Sequence, residues 1–180
     1  MPFTLRRASV ADGAELERLI AASARGLSGA DYTPAQIEAA LGTAFGVDSE
    51  LIRDGTYFVA EAGGTLVGCG GWSRRKTLFG GDQQAGRVSE LLDPAHDAAR
   101  IRAFFVRPDW ARRGIGGALL ARCEAEAFAE GFRAAQLMAT LPGRRLYAAL
   151  GYLGDEPVEH TLPGGVLIHF VPMRKELRGG

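Results

Sequence analysis

Cysteine is scarce in this chain of 180 residues, with only Cys69 and Cys123 present. Two thiols so far apart exclude a disulfide framework and a four-ligand zinc site, and a reducing cytoplasm is their simplest setting. Excess charge of either sign is missing too. Lysine plus arginine and aspartate plus glutamate each number 21, for a formal net charge of +0. No global field therefore gathers nucleic acid or an anionic membrane, and any anion site must be a local cluster. Long apolar runs are also lacking. The opening MPFTLRRASVADGAEL has no unbroken signal-peptide core, and no later run approaches the roughly 20 apolar residues of a membrane span. Export and insertion are not expected. Repeats, low-complexity tracts and linker-like stretches are absent as well. What is present, 47% apolar and 23% charged residues, suits one globular domain over residues 1–180, able to bury about two-thirds of the surface its unfolded chain exposes.

Periodicity gives the element order. Phe3 to Arg7 alternates as a short strand, and Ser9 to Asp12 supply capping chemistry for a helix with Leu16, Leu19 and Ile20 at helical spacing. Thr33 and Pro34 read as N-cap and first residue of a second helix reaching about Phe45. Thr56–Ala62 and Leu66–Trp72 read as strands of a hairpin turning at Gly63-Gly64. From Arg74 to about Ala99 periodicity lapses, which marks a long functional or mobile loop. Its Gly80-Gly81, Asp82 and Gln83-Gln84 bury little apolar surface and predict the least ordered internal segment. Order returns with a strand Ile101–Val106, a helix from about Arg113 to Glu130, a strand Ala134–Ala139, a helix Pro142–Leu150 and a last strand Val166–Val171. This is a mixed α/β pattern.

The most informative stretch follows the strand ending at Val106. Gly114, Gly116 and Gly117 open an apolar-periodic helix, although each glycine costs a helix interior roughly 1 kcal/mol relative to alanine. One reason to leave the backbone uncovered is a phosphate. Free N–H groups of a first helical turn and the positive end of the helix dipole bind anions, and Arg112 and Arg113 add charge at the same place. The other reason is close helix-on-strand packing beside two solvated arginines, and spacing alone leaves both open. A Walker A loop is excluded, because Ala118 and Leu119 stand where Lys-Ser or Lys-Thr is needed. A dinucleotide fingerprint starting at Gly114 fails at Leu119, which replaces its last glycine. No G-x-S-x-G elbow occurs. His160 and His169 have no metal-ligand spacing, so no metal is expected.

The stretch resembles the acyl-coenzyme A signature of the GCN5-related N-acetyltransferase (GNAT) superfamily, Q/R-x-x-G-x-G/A after a strand ending V-x-P. Val106, Pro108, Gly114 and Gly116 carry the match, and Ala111 departs from it at the Q/R position. Tyr147-Ala-Ala-Leu-Gly-Tyr152 is similar to the family's Y-x-x-L-G-F/Y near the C-terminus. The resemblance implies the GNAT fold, a mixed sheet of about six to seven strands flanked by four helices. It further implies acetyl-CoA as cosubstrate without a metal, direct transfer of the acetyl group to a primary amine of a small molecule or peptide, and room for a homodimer.

By the same resemblance the thioester and pantetheine lie along Phe104, Phe105 and Val106, where a main-chain N–H serves the oxyanion. The diphosphate meets Arg112, Arg113, Gly114, Ile115, Gly116 and Gly117. Tyr147 protonates the departing thiolate; packing beside Leu146 and Leu150 is its structural alternative. No base stands out. The strand Ala134–Ala139 has no carboxylate, Thr140 occupies a position where many relatives carry asparagine, and Glu90, Asp93 and His96 lie in the long loop. Acceptor pockets in the family use the first two helices and neighbouring loops, here Tyr32, Gln36 and residues 74–99. Arg74, Arg75, Lys76, Arg87 and Arg107 either meet the 3′-phosphate or an acidic acceptor, or are surface ion-pair partners. A non-catalytic acyl-CoA binding or regulatory module is the alternative of a different class. A protein binding another diphosphate at the glycine turn is a further one.

Overall fold

The computed structural model describes residues 2–179. Their order is β1 (Thr4–Arg7), α1 (Gly13–Leu27), α2 (Pro34–Ala40), α3 (Ser49–Asp54), β2 (Tyr57–Ala62), β3 (Thr65–Ser73), β4 (Ala99–Val106), α4 (Ile115–Ala129), β5 (Ala134–Thr140), α5 (Arg144–Ala149), β6 (Val158–Thr161) and β7 (Leu167–Glu176). The strands form one mixed sheet in the order β1-β2-β3-β4-β5-β7-β6. Every pair is antiparallel except β4 and β5. The α/β class and the seven-stranded count agree with the sequence reading.

Two cores sandwich the sheet, which is why β2 is apolar and buried without alternation from Tyr57 to Ala60, before Glu61. Phe58 and Ala60 pack with Leu119, Leu120, Cys123 and Tyr147 on the side of α4 and α5. Tyr57 and Val59 pack with Leu16, Leu19, Ile20 and Ile37 on the side of α1 and α2. Cys69 and Cys123 are both free and buried, one in each core.

Local chemistry explains the boundaries. Thr33 is the N-cap of α2 and Pro34 its first residue, as expected, and Gln36 completes a capping box with Thr33, but the helix stops at Ala40 because Leu41 is extended and Gly42 has φ +84°. The hairpin turn at Gly63 and Gly64 has φ of +56° and +75°, the primed geometry that only such residues adopt readily. Helix α3 was not read from periodicity; it holds only one turn and a half, capped by the Asp48 carboxylate at Leu51 N–H and ended by Gly55 in the left-handed region. Strand β7 runs past the predicted Val171, through Pro172. Proline is tolerated there because β6 pairs with β7 only as far as Phe170.

The 74–98 segment is irregular but not loose. Leu92 N–H donates to Arg74 O, Lys76 N–H to Glu90 O and Thr77 N–H to Val88 O, so its two limbs run side by side. Gly81 and Asp82 N–H groups donate to Thr43 O and Val47 O.

Candidate active site

Strands β4 and β5 pair only at Ala99 with Ala135 and Arg100 with Gln136. β5 then stays with β7 through Thr140, whereas β4 follows β3 through a bulge. Between Gly71/Arg102 and Cys69/Phe105 the β4 side has one residue more than the β3 side. Ala103 absorbs it at φ +59°, a conformation that costs a non-glycine residue about 1–2 kcal/mol. Its carbonyl accepts from the Tyr57 hydroxyl and from Cys69 Sγ–H, each at 3.5 Å. A cleft of about 710 Å³ passes through the resulting gap and reaches both faces of the sheet.

The main chain of β4 is therefore open toward the cleft. Arg107 N–H donates to Val67 O of β3, so strand alternation aims Val106 N–H the other way, where Ser23 Oγ of α1 accepts it at 3.2 Å. Ser23 is buried and lines the cleft; sequence periodicity marked it only as an α1 position. Phe105 pairs back toward Cys69, and its ring packs on the α1 and α2 side, while the Phe104 ring lies on the α4 side.

One end of the cleft is the start of α4. Gly114, at φ +83°, is its N-cap, and Ala118 N–H donating to Gly114 O at 3.0 Å is the helix's first bond. The N–H groups of Ile115, Gly116 and Gly117 thus have no acceptor within the helix. Arg112, also left-handed at φ +66°, lines the cleft with all three. Arg113 lies outside the lining, its guanidinium 4.7 Å from the Trp110 ring centroid. The packing explanation holds for one glycine: a Cβ on Gly116 would stand 2.8 Å from Leu146 Cδ2 of α5, while one on Gly117 meets nothing closer than 4.0 Å.

Tyr147 of α5 also lines the cleft, its ring edge-on to Phe104 at 6.2 Å and to Tyr152 at 5.8 Å. Burial pushes its phenol well above the ordinary value, with the nearby Cys123 sulfur adding to the shift. Thr140 lines the cleft too, and its Oγ1 accepts Gly143 N–H at 3.0 Å ahead of α5.

Other residues singled out by the sequence lie elsewhere. Tyr32 is a buried clip, its hydroxyl donating to His169 O and accepting Leu141 N–H, and burial lifts it to about 12. Gln36 caps α2 and donates to Leu167 O. Arg74 pairs with Glu130, Arg75 with Asp54, Lys76 with Glu90 and Arg107 with Asp109. Asp93 and His96 pair with each other in solvent.

Arg87 belongs to a cluster that periodicity did not reveal. Arg102, next to the bulge and wholly buried, bonds Asp48 through Nη2 and lies 3.5 Å from Glu50. Arg87 reaches Asp48 at 3.1 Å and the carbonyls of Gly80 and Gly81, and the Ser89 hydroxyl donates to Glu50 at 2.5 Å. Burial lifts the Asp48 carboxyl and lowers the Arg102 guanidinium, while their mutual attraction opposes both shifts. Among the described residues no three His, Cys, Asp or Glu side chains converge on a metal position. No described helix is long and apolar enough to cross a membrane.

Solved structures share this architecture. A GCN5-related N-acetyltransferase of Rhodopseudomonas palustris superposes with TM-score 0.72 at 22% identity, over 98% of this chain and 97% of its own. The PaiA N-acetyltransferase of Thermoplasma acidophilum, solved with coenzyme A, gives 0.67 at 15% identity, over 98% and 99%. A phosphinothricin acetyltransferase of Sinorhizobium meliloti, solved with acetyl-CoA, gives 0.64 at 22% identity, over 100% and 91%. No curated protein matches the sequence. The profile of the Acetyltransferase (GNAT) family matches residues 24–152, from the last turn of α1 through Tyr152, and so spans the opened strands, the glycine turn and Tyr147 together. The chain belongs to the GNAT acetyltransferase family.

Proposed function

We propose that this chain moves the acetyl group of acetyl-CoA directly to a primary amine of a small molecule or peptide. The observation that carries the reading is the meeting, in one cleft, of three N–H groups free at the start of α4, the open edge of β4, and Tyr147. The coenzyme A and acetyl-CoA bound to two structural neighbours lend it support.

In this reading the diphosphate takes the N–H groups of Ile115, Gly116 and Gly117, with charge from Arg112 and Arg113 and the turn shaped by Gly114. The pantetheine arm runs along Phe104, Phe105 and Val106, and its amide displaces the Ser23 hydroxyl from Val106 N–H. The neutral amine attacks the thioester carbon, forming a C–N bond as the carbonyl electron pair moves onto oxygen. A main-chain N–H of the β4 edge stabilises that oxyanion, a contribution typically of about 3 kcal/mol. Collapse breaks the C–S bond, Tyr147 protonates the sulfur, and the proton on nitrogen leaves to water, which returns a proton to the Tyr147 phenolate; among the described residues the only carboxylate lining the cleft is Asp31 at an exposed edge. Residues 1–180 act as one cytoplasmic N-acetyltransferase domain.

The test is thiol release from acetyl-CoA against a panel of amines, run beside a coenzyme A titration. Amine-dependent release supports transfer. Tight coenzyme A binding with no release for any amine would make the chain a binding module instead.

A further inference from the structure

Across the β4/β5 gap from Tyr147, the cleft wall is a chain of four phenyl rings. Phe79 stands 5.4 Å from Phe170, Phe170 6.3 Å from Phe45, and Phe45 5.9 Å from Phe105, centroid to centroid and all inclined. All four line the cleft, with Met138 beside them. They come from the segment after β3, from β7, from the α2–α3 connection and from β4, so tertiary structure alone assembles the wall. Phe79, Phe105 and Met138 stay half-buried while packing on a closed core.

Charge is distributed just as unevenly. The charged residues lining the cleft are Asp31, Arg102, Arg112 and Arg145. Arg112 and Arg145 belong to the α4 turn and to α5. Asp31 is exposed at an edge it shares with Arg144 and Arg145 of a second, smaller cavity. Arg102 is already matched by Asp48 and Glu50. Arg102 Nε is without a hydrogen-bond partner, but the charge of the guanidinium is already matched, so among the described residues no charged side chain of the phenyl-lined half is left to pair with a second ionised group, and stripping water from such a group without a partner is strongly unfavourable.

We infer that the acceptor is a small primary amine whose body is a single aromatic or branched apolar group with no second charge. This rests on the acetyl-transfer reading above. The apolar body lies against Phe45, Phe79, Phe105 and Phe170, and the nitrogen points through the gap toward the thioester.

The test uses the whole chain with acetyl-CoA and two pairs of amines: 2-phenylethylamine and isoamylamine against spermidine and lysine. Thiol release gives kcat/KM, and calorimetry on the coenzyme A-loaded protein gives affinity without turnover. The apolar pair should exceed the charged pair in kcat/KM by on the order of 10²-fold, with affinities in the same order, and Phe79→Ser should shrink that ratio at least about tenfold. Spermidine or lysine equal to or better than the apolar amines would overturn the inference and leave acetyl transfer standing. Preferential binding of 2-phenylethylamine with no thiol released by any amine would leave the pocket's ligand class standing and overturn transfer.

Discussion

Tyr147 is held between Phe104 and Tyr152 with its phenol driven above the usual range by burial. Tyr147→Phe should lower kcat by roughly 10²-fold and leave the KM for acetyl-CoA nearly unchanged, because only the acid is lost and the ring stays. The sign of the shift also sets the pH profile. A phenol at its ordinary value would impose an alkaline fall near pH 10; a raised one stays protonated through that range, so the wild-type rate should climb as the amine loses its proton and then level without falling. A second titration concerns stability. Asp12 is lowered to about 2, first by its hydrogen bonds from Arg6 at 2.8 and 2.9 Å and against the cost of burial. A depressed carboxyl stabilises the fold above its unfolded value near 3.9 and stops doing so as pH falls through about 2, a contribution of about 1 kcal/mol given the exposure of Arg6. Urea midpoints should therefore drop between pH 4 and pH 2 in the wild type and drop less in Arg6→Gln. Tyr147 was legible in the sequence through its motif. Ser23 was not, since a serine on an amphipathic helix looks the same whether it faces solvent or caps a strand in space.

The start of α4 separates the two explanations for its glycines. Gly116 makes room for Leu146, so a glutamate there disturbs packing as well as any anion site. Gly117 is open, and Gly117→Glu places negative charge beside the same free N–H groups with little steric cost. Its circular dichroism and melting temperature should stay close to wild type while coenzyme A affinity falls at least about tenfold, the worth of one unfavourable charge at a helix N-terminus in a partly buried site. Unaltered affinity in that folded variant would remove the diphosphate from this turn. Elements with strong punctuation were readable: the Thr33 cap, the Gly63-Gly64 turn and the glycine-opened α4. Short elements fixed by tertiary contacts were not. α3 depends on Asp48, which also holds Arg102, and β6 has only Val158–Thr161 to register against β7. The proline at 172 hid half of β7 because its tolerance depends on where the neighbouring strand ends.

At the scale of the molecule, the Asp48, Glu50, Arg87 and Arg102 cluster ties the α2–α3 connection, the segment after β3 and the bulged strand β4 into one wall. A gapped loop predicted from composition to be the least ordered segment is thereby anchored, and no local pattern could have shown it, because the partners are 39 and 54 residues apart. Arg102→Met leaves two buried carboxylates underpaired and should destabilise the fold by roughly 3–5 kcal/mol. Arg87→Ala should chiefly free the segment, seen as faster exchange at the Gly81 and Asp82 amides than in the wild type, where both are hydrogen-bonded. The overall topology was legible because each core-facing strand and long helix carries its own pattern; the acceptor wall was not, because its four phenylalanines come from four separate elements. Direct acetyl transfer across the β4/β5 gap is tested most directly by mass-spectrometric counting of acetamide formed per coenzyme A thiol released, with 2-phenylethylamine as acceptor and the protein's own mass followed in the same samples. One acetamide per thiol, with no acetylated protein accumulating, is the predicted result; thiol release without acetamide, or an acetyl group retained on the protein, would contradict it.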